Sequence, residues 1–85
     1  MLTRYDGITF DWLKQQLREG AIVTADIQKA YERFILGREL TPAESTPFKQ
    51  YVYAKLRKLE KRGEVERCGY VQILSVSYQS WRVVL

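Results

Sequence analysis

The chain has 85 residues, 46% of them hydrophobic and 28% charged, with eleven aromatic side chains and a net charge of +4. That is material for a single domain over residues 1–85 with one modest core, and a composition that argues against disorder. No apolar run approaches a membrane span and residues 1–6 carry no apolar leader, so a cytoplasmic setting away from membranes is expected.

The chain has no histidine and a single cysteine, Cys68. No internal disulfide is available, and the commonest metal ligand and general base is missing. Without a glycine-rich phosphate loop or clustered ligands, neither an enzyme, a cofactor nor a metal site is expected. Cys68 reads as an inert strand residue. Glu64 and Glu66 share a strand face, yet nothing in the pattern around them builds a pocket.

The charge is concentrated. Residues 49–62 hold Lys49, Lys55, Arg57, Lys58, Lys61 and Arg62 against Glu60 alone, a balance of +5, and the rest of the chain balances to −1. Such asymmetry points to a polyanionic partner, or else to a solvated helix face.

Taken in order, the first helix is expected over residues 10–19. Thr9 is its N-cap, Ile8 and Leu13 form a hydrophobic staple, and Phe10, Leu13 and Leu17 share one face. Gly20 stops it. Residues 21–23 are apolar and partly β-branched, a very short strand or an extended connection. A second helix follows Thr24, read as its cap, with Ile27, Ala30, Tyr31 and Phe34 as a buried stripe and Gly37 as its end.

Residues 41–44 read as a capping box with proline at the first helical position, and Thr46-Pro47 repeats the signal. Because proline is unfavourable inside a helix, a single turn over 42–45 and a separate third helix over 47–62 are expected. At about 100° per residue, Phe48, Val52, Leu56 and Leu59 cluster on one face. Gln50, Tyr53, Ala54, Arg57 and Lys61 cluster opposite, with Lys58 at the margin. After Gly63 the period changes to alternation: residues 64–68, 70–78 and 81–85 read as strands of a hairpin. Its turn lies somewhere in 69–80, with 75–80 favoured, since no Asn-Gly or Asp-Gly marks it.

Val52, Leu56, Leu59, Gly63 and Val65 sit at the spacing of a recognition-helix-to-wing junction. The chain therefore resembles winged helix-turn-helix domains, with residues 81–85 in place of the returning wing strand. Against that pattern, the connection over 37–46 is long, and Tyr51 and Tyr53 flank Val52 where small polar residues are usual.

The resemblance implies an α+β fold, a three-helix winged helix with a C-terminal β-hairpin wing. It implies binding to double-stranded DNA as a transcriptional regulator or accessory protein, with helix 47–62 in the major groove. By motif position Gln50, Tyr51, Tyr53 and Ala54 would meet base edges or the groove floor. Lys49, Arg57, Lys58 and Lys61 would meet phosphates. Arg67 and Arg82 would carry the wing's contact, and Thr24 would offer helix-end amides to a phosphate. Each has a plainer alternative. Tyr51 and Tyr53 would cover core edges, Arg67 and Arg82 would pair with Glu64 or Glu66, Thr24 would only cap, and Trp12 and Trp81 would be core. A second function stays open: protein binding, as a homodimer or with another partner, through the hairpin residues Tyr70, Val71, Ile73, Val76, Tyr78 and Trp81.

Overall fold

A computed structural model describes Tyr5 and residues 7–84. The leader reading of residues 1–4 and 6, and the strand reading of Leu85, lie outside the described residues.

The chain is α+β: three α-helices followed by a two-stranded antiparallel hairpin. Helix α1 (Phe10–Arg18) starts where the sequence places it, with the Thr9 hydroxyl accepting from the Trp12 amide. Ile8 and Leu13 of the staple are both buried.

Helix α2 (Thr24–Tyr31) begins one residue earlier than expected. Val23 is its N-cap and offers no side-chain hydrogen bond, so Thr24 is the first helical residue and not the cap. The helix then widens into a π-helical turn, Glu32–Leu36, closed by the Gly37 amide donating to the Glu32 carbonyl at 2.8 Å. A π turn holds an extra residue. The extra residue rotates Phe34 off the stripe that Ile27 and Tyr31 bury, leaving it 68% exposed, and Leu36 packs against the core instead.

The expected break at Pro47 is absent. Helix α3 runs unbroken from Pro42 to Lys61. The capping box at Thr41 is complete: the Glu44 amide donates to the Thr41 hydroxyl at 3.3 Å and the Thr41 amide to the Glu44 carboxylate at 3.0 Å. Arg38 grips Glu44 with two bonds of 2.9 and 3.0 Å, and Ser45 donates to Gln28 of α2 at 2.9 Å. These contacts fix the first turn of α3 in place. Pro47 costs the bond to the Ala43 carbonyl, but both residues are exposed, so water replaces the missing donor.

At the other end, the Glu64 amide donates to the Leu59 carbonyl and the Gly63 amide to the Glu60 carbonyl. That is a Schellman closure with Gly63 at φ 77°, a value that glycine adopts without the Cβ penalty. The chain reverses there into β1 (Val65–Ile73), which pairs with β2 (Val76–Val83). The turn is Leu74-Ser75, at the very start of the favoured stretch, with Leu74 at φ 57°.

Between the Arg67–Trp81 and Tyr70–Gln79 pairs, Cys68 and Gly69 together oppose Ser80. This is a β-bulge. Ser80 and Gln79 both donate to the Gly69 carbonyl at 2.9 Å. The bulge shifts β1 by one residue. Beyond it Tyr70 and Gln72 share the face of Trp81, Gln79 and Ser77. Val71 and Ile73 share the opposite face with Tyr78 and Val76.

The core lies between the three helices and the base of the hairpin. Leu13, Ile27, Phe48, Val52, Leu56, Leu59, Val65 and Trp81 are its fully buried centre. Trp12 packs on its margin. Residues 21–23 form no strand, but the Trp81 amide donates to the Ile22 carbonyl at 2.9 Å, which ties this extended segment to β2. Among the described residues, no helix is long and apolar enough to cross a membrane.

Candidate nucleic-acid interface

The buried stripe of α3 fixes what the rest of the helix presents. With Phe48, Val52, Leu56 and Leu59 anchored inward, a rotation of about 100° per residue turns Gln50, Ala54, Arg57 and Lys61 directly outward, with Lys58 beside them. All five are exposed.

Lys49 and Tyr53 lie on the flank facing the hairpin. There Tyr53 meets Trp81 edge-on at 5.9 Å between centroids. With Thr24, Gln50, Ala54 and Gln79 they line an open groove of about 490 Å³ between α3, the start of α2 and the inner face of β2. Thr24 thus stands beside the predicted recognition residues even though it caps nothing.

Tyr51 departs from the expectation. It lies about 160° around the helix from Tyr53, on the α1 side. Its ring sits 4.8 Å from Tyr5, with Lys55 over it at 5.3 Å. Tyr51 therefore covers the core edge and does not belong with Gln50, Tyr53 and Ala54.

The two wing arginines separate. Arg67 is on the inner face, over Trp81 at 5.3 Å, and pairs with Glu60 of α3 at 3.0 Å. Arg82 points to the outer face and pairs with Glu66 across the hairpin. It is not brought together with the α3 residues, and its pairing is the plainer alternative. Glu64 takes neither arginine. It binds Lys14 and Arg62, each at 2.7 Å. The Lys14 contact first, and then the Arg62 charge, lowers its pKa from the ordinary carboxylate value.

These pairings sort the cations of residues 49–62. Arg62 is held by Glu64, Lys55 lies over Phe10, and Arg57 pairs with Glu60 at 3.2 Å. Tyr53, and behind it Glu60, keeps the Arg57 guanidinium above its ordinary pKa. Lys49, Lys58 and Lys61 have no carboxylate partner among the described residues. A surface with outward amide, methyl and free ammonium groups can receive base edges and phosphates.

Sequence reading missed Gln79 and Glu60. Gln79 reaches the groove because it stands two residues from the buried Trp81 on β2 and so shares its inner face, an alternation that the strand pattern itself carries. Glu60 stood out only as the lone acid of the basic stretch. Among the described residues, no three His, Cys, Asp or Glu side chains gather around a metal position.

No family model matches the chain, and neither does a curated protein or a solved structure.

Proposed function

We propose that the chain is a winged helix-turn-helix domain that binds double-stranded DNA, as a transcriptional regulator or accessory DNA-binding protein. Helix α3 enters the major groove and the inner face of the hairpin lies along the adjoining backbone. One observation carries this reading: the outward face of α3 gathers Gln50, Ala54, Lys58 and Lys61 in one exposed strip, and among the described residues its lysines hold no carboxylate. Gln50 suits bidentate pairing with adenine and Ala54 a thymine methyl. Lys49, Lys58 and Lys61 suit phosphates, which position the domain without reading sequence.

Anisotropy of a labelled mixed-sequence duplex across a salt series tests it. Three free lysines predict a slope of log K against log salt of roughly −3. Lys58→Gln with Lys61→Gln should flatten that slope by about 2. Absence of binding at low salt refutes the reading.

A second reading rests on the bulge. It sends Val71 and Ile73 to the outer face, away from α3, beside Val76 and Tyr78, which the alternation of β2 places there, and the tip residue Leu74 is 95% exposed. That patch suits a protein partner or a second copy of the chain, and leaves the α3 face open. Sedimentation at rising concentration, with Leu74→Ser and Val76→Ser as a paired control, tests self-association. A monomer at every concentration removes the homodimer.

A further inference from the structure

Glu60 is the only carboxylate on residues 49–62, and two arginines converge on it. Its Oε1 lies 3.2 Å from Nε of Arg57, one turn earlier on α3. Its Oε2 lies 3.0 Å from Nε of Arg67 on β1, and a second Arg67 nitrogen donates to Oε1 at 3.3 Å. Arg67 covers Trp81 at 5.3 Å, Trp81 meets Tyr53 at 5.9 Å, and Arg57 lies over Tyr53 at 6.0 Å. The five side chains close a ring that joins the outer side of α3 to the inner side of the hairpin. The ring is open to solvent, with the Glu60 side chain 30% exposed and Arg57 and Arg67 46% and 38% exposed.

A phosphate arriving at this junction meets two guanidinium groups that Glu60 already holds by one edge each. Each guanidinium can bind an anion on two edges, and for both arginines the Nε edge is taken. Only by sharing or displacing Glu60 does a phosphate engage them fully. The contrast with Lys49, Lys58 and Lys61, which hold no acid among the described residues, divides the cations into a free set and a masked set.

We propose that Glu60 is a specificity-determining residue of the DNA interface: it competes with phosphate for Arg57 and Arg67, and so holds down sequence-independent affinity for duplex. This rests on the DNA-binding reading above. A clip that merely braces the hairpin acts differently. Its removal lowers thermal stability and leaves the salt dependence of binding where it was.

The test compares the full chain with Glu60→Gln and Glu66→Gln, using a labelled mixed-sequence duplex across a salt series. Glu66→Gln makes the same charge change on the hairpin but releases Arg82 on the outer face. Glu60→Gln is expected to bind roughly tenfold tighter at low salt, with a slope steeper by about 1 to 2. Glu66→Gln should fall well short of that. Arg67→Gln alone should change the slope little, and added to Glu60→Gln it should take back about 1. If Glu60→Gln melts cooperatively yet binds with the original slope, or no tighter than Glu66→Gln, Glu60 is a structural clip only. If Glu60→Gln does not fold, Glu60→Asp, which keeps the charge but shortens the reach to Arg67, decides. A slope steeper by about 1 supports masking and an unchanged slope overturns it. If neither the unaltered chain nor any variant binds duplex at low salt, the DNA reading fails and this role for Glu60 fails with it.

Discussion

Leu56 and Glu44 show how differently single residues contribute. Leu56 is fully buried between the helices, where nothing can refill the space it occupies. Leu56→Ala is expected to cost about 2–5 kcal/mol, read as a lower urea midpoint with an unchanged m-value. Glu44 works through charge at the surface. Arg38 first, and then the Thr41 amide, holds its carboxyl down at about 2, below the ordinary carboxylate value. A lowered pKa means that the unfolded chain takes up the proton first. The contribution is complete above the ordinary carboxylate value of about 4.3 and disappears as pH falls through about 2. Glu44→Gln should therefore lower stability at pH 6 and converge with the unaltered chain near pH 2. Parallel curves across that window would remove the Arg38–Glu44 contact from the account.

At the scale of elements, the start of α3 is the instructive case. Two cap-plus-proline signals compete over residues 41–47, and the earlier one wins. The Thr41 box has three supports — Glu44, Arg38 and the Ser45–Gln28 bond — while Pro47 gives up one hydrogen bond on an exposed face. Pro47→Ala restores a donor to the Ala43 carbonyl, and is expected to raise stability by about 1–3 kcal/mol. A thermal melt that moves downward would show that Pro47 is not a mid-helix defect. Thr41→Ala removes the winning cap and should cost about 1 kcal/mol.

The amphipathic faces of α1 and α3, the Thr9 cap and Gly63 were legible in the sequence because each follows from local periodicity and turn chemistry. What escaped, the start of α3 included, depended on side-chain contacts and backbone irregularities that no periodic pattern fixes. Arg38 reaching Glu44 decided where α3 begins. The π turn at Glu32–Leu36 moved Phe34 off its stripe. Cys68-Gly69 reset the register of β1, and with it the faces of Tyr70, Val71, Gln72 and Ile73. For the site, Gln50, Ala54, Arg57, Lys58 and Lys61 were legible as one face. Tyr51 already lies off that face by helical period alone, whereas Arg82 was not separable until the Glu66 pair was in view.

For the whole molecule, charge and shape sort by face. The outward side of α3 is polar and positively charged, and the inner hairpin face adds Gln72, Ser77 and Gln79 beside the aromatic rings of Tyr70 and Trp81. The outer hairpin face and tip are apolar, with Val76 51% exposed. In the proposed reading these two separate surfaces leave room for DNA on one and a protein partner on the other. The central claim concerns where duplex touches the molecule, and ¹⁵N NMR titration with a mixed-sequence duplex tests it most directly. The account predicts amide shifts concentrated on residues 49–61 of α3 and on Tyr70, Gln72 and Gln79, with Val71, Val76 and the exposed Phe34 left unmoved. Shifts centred on the outer hairpin face or around Phe34, with α3 silent, would contradict it.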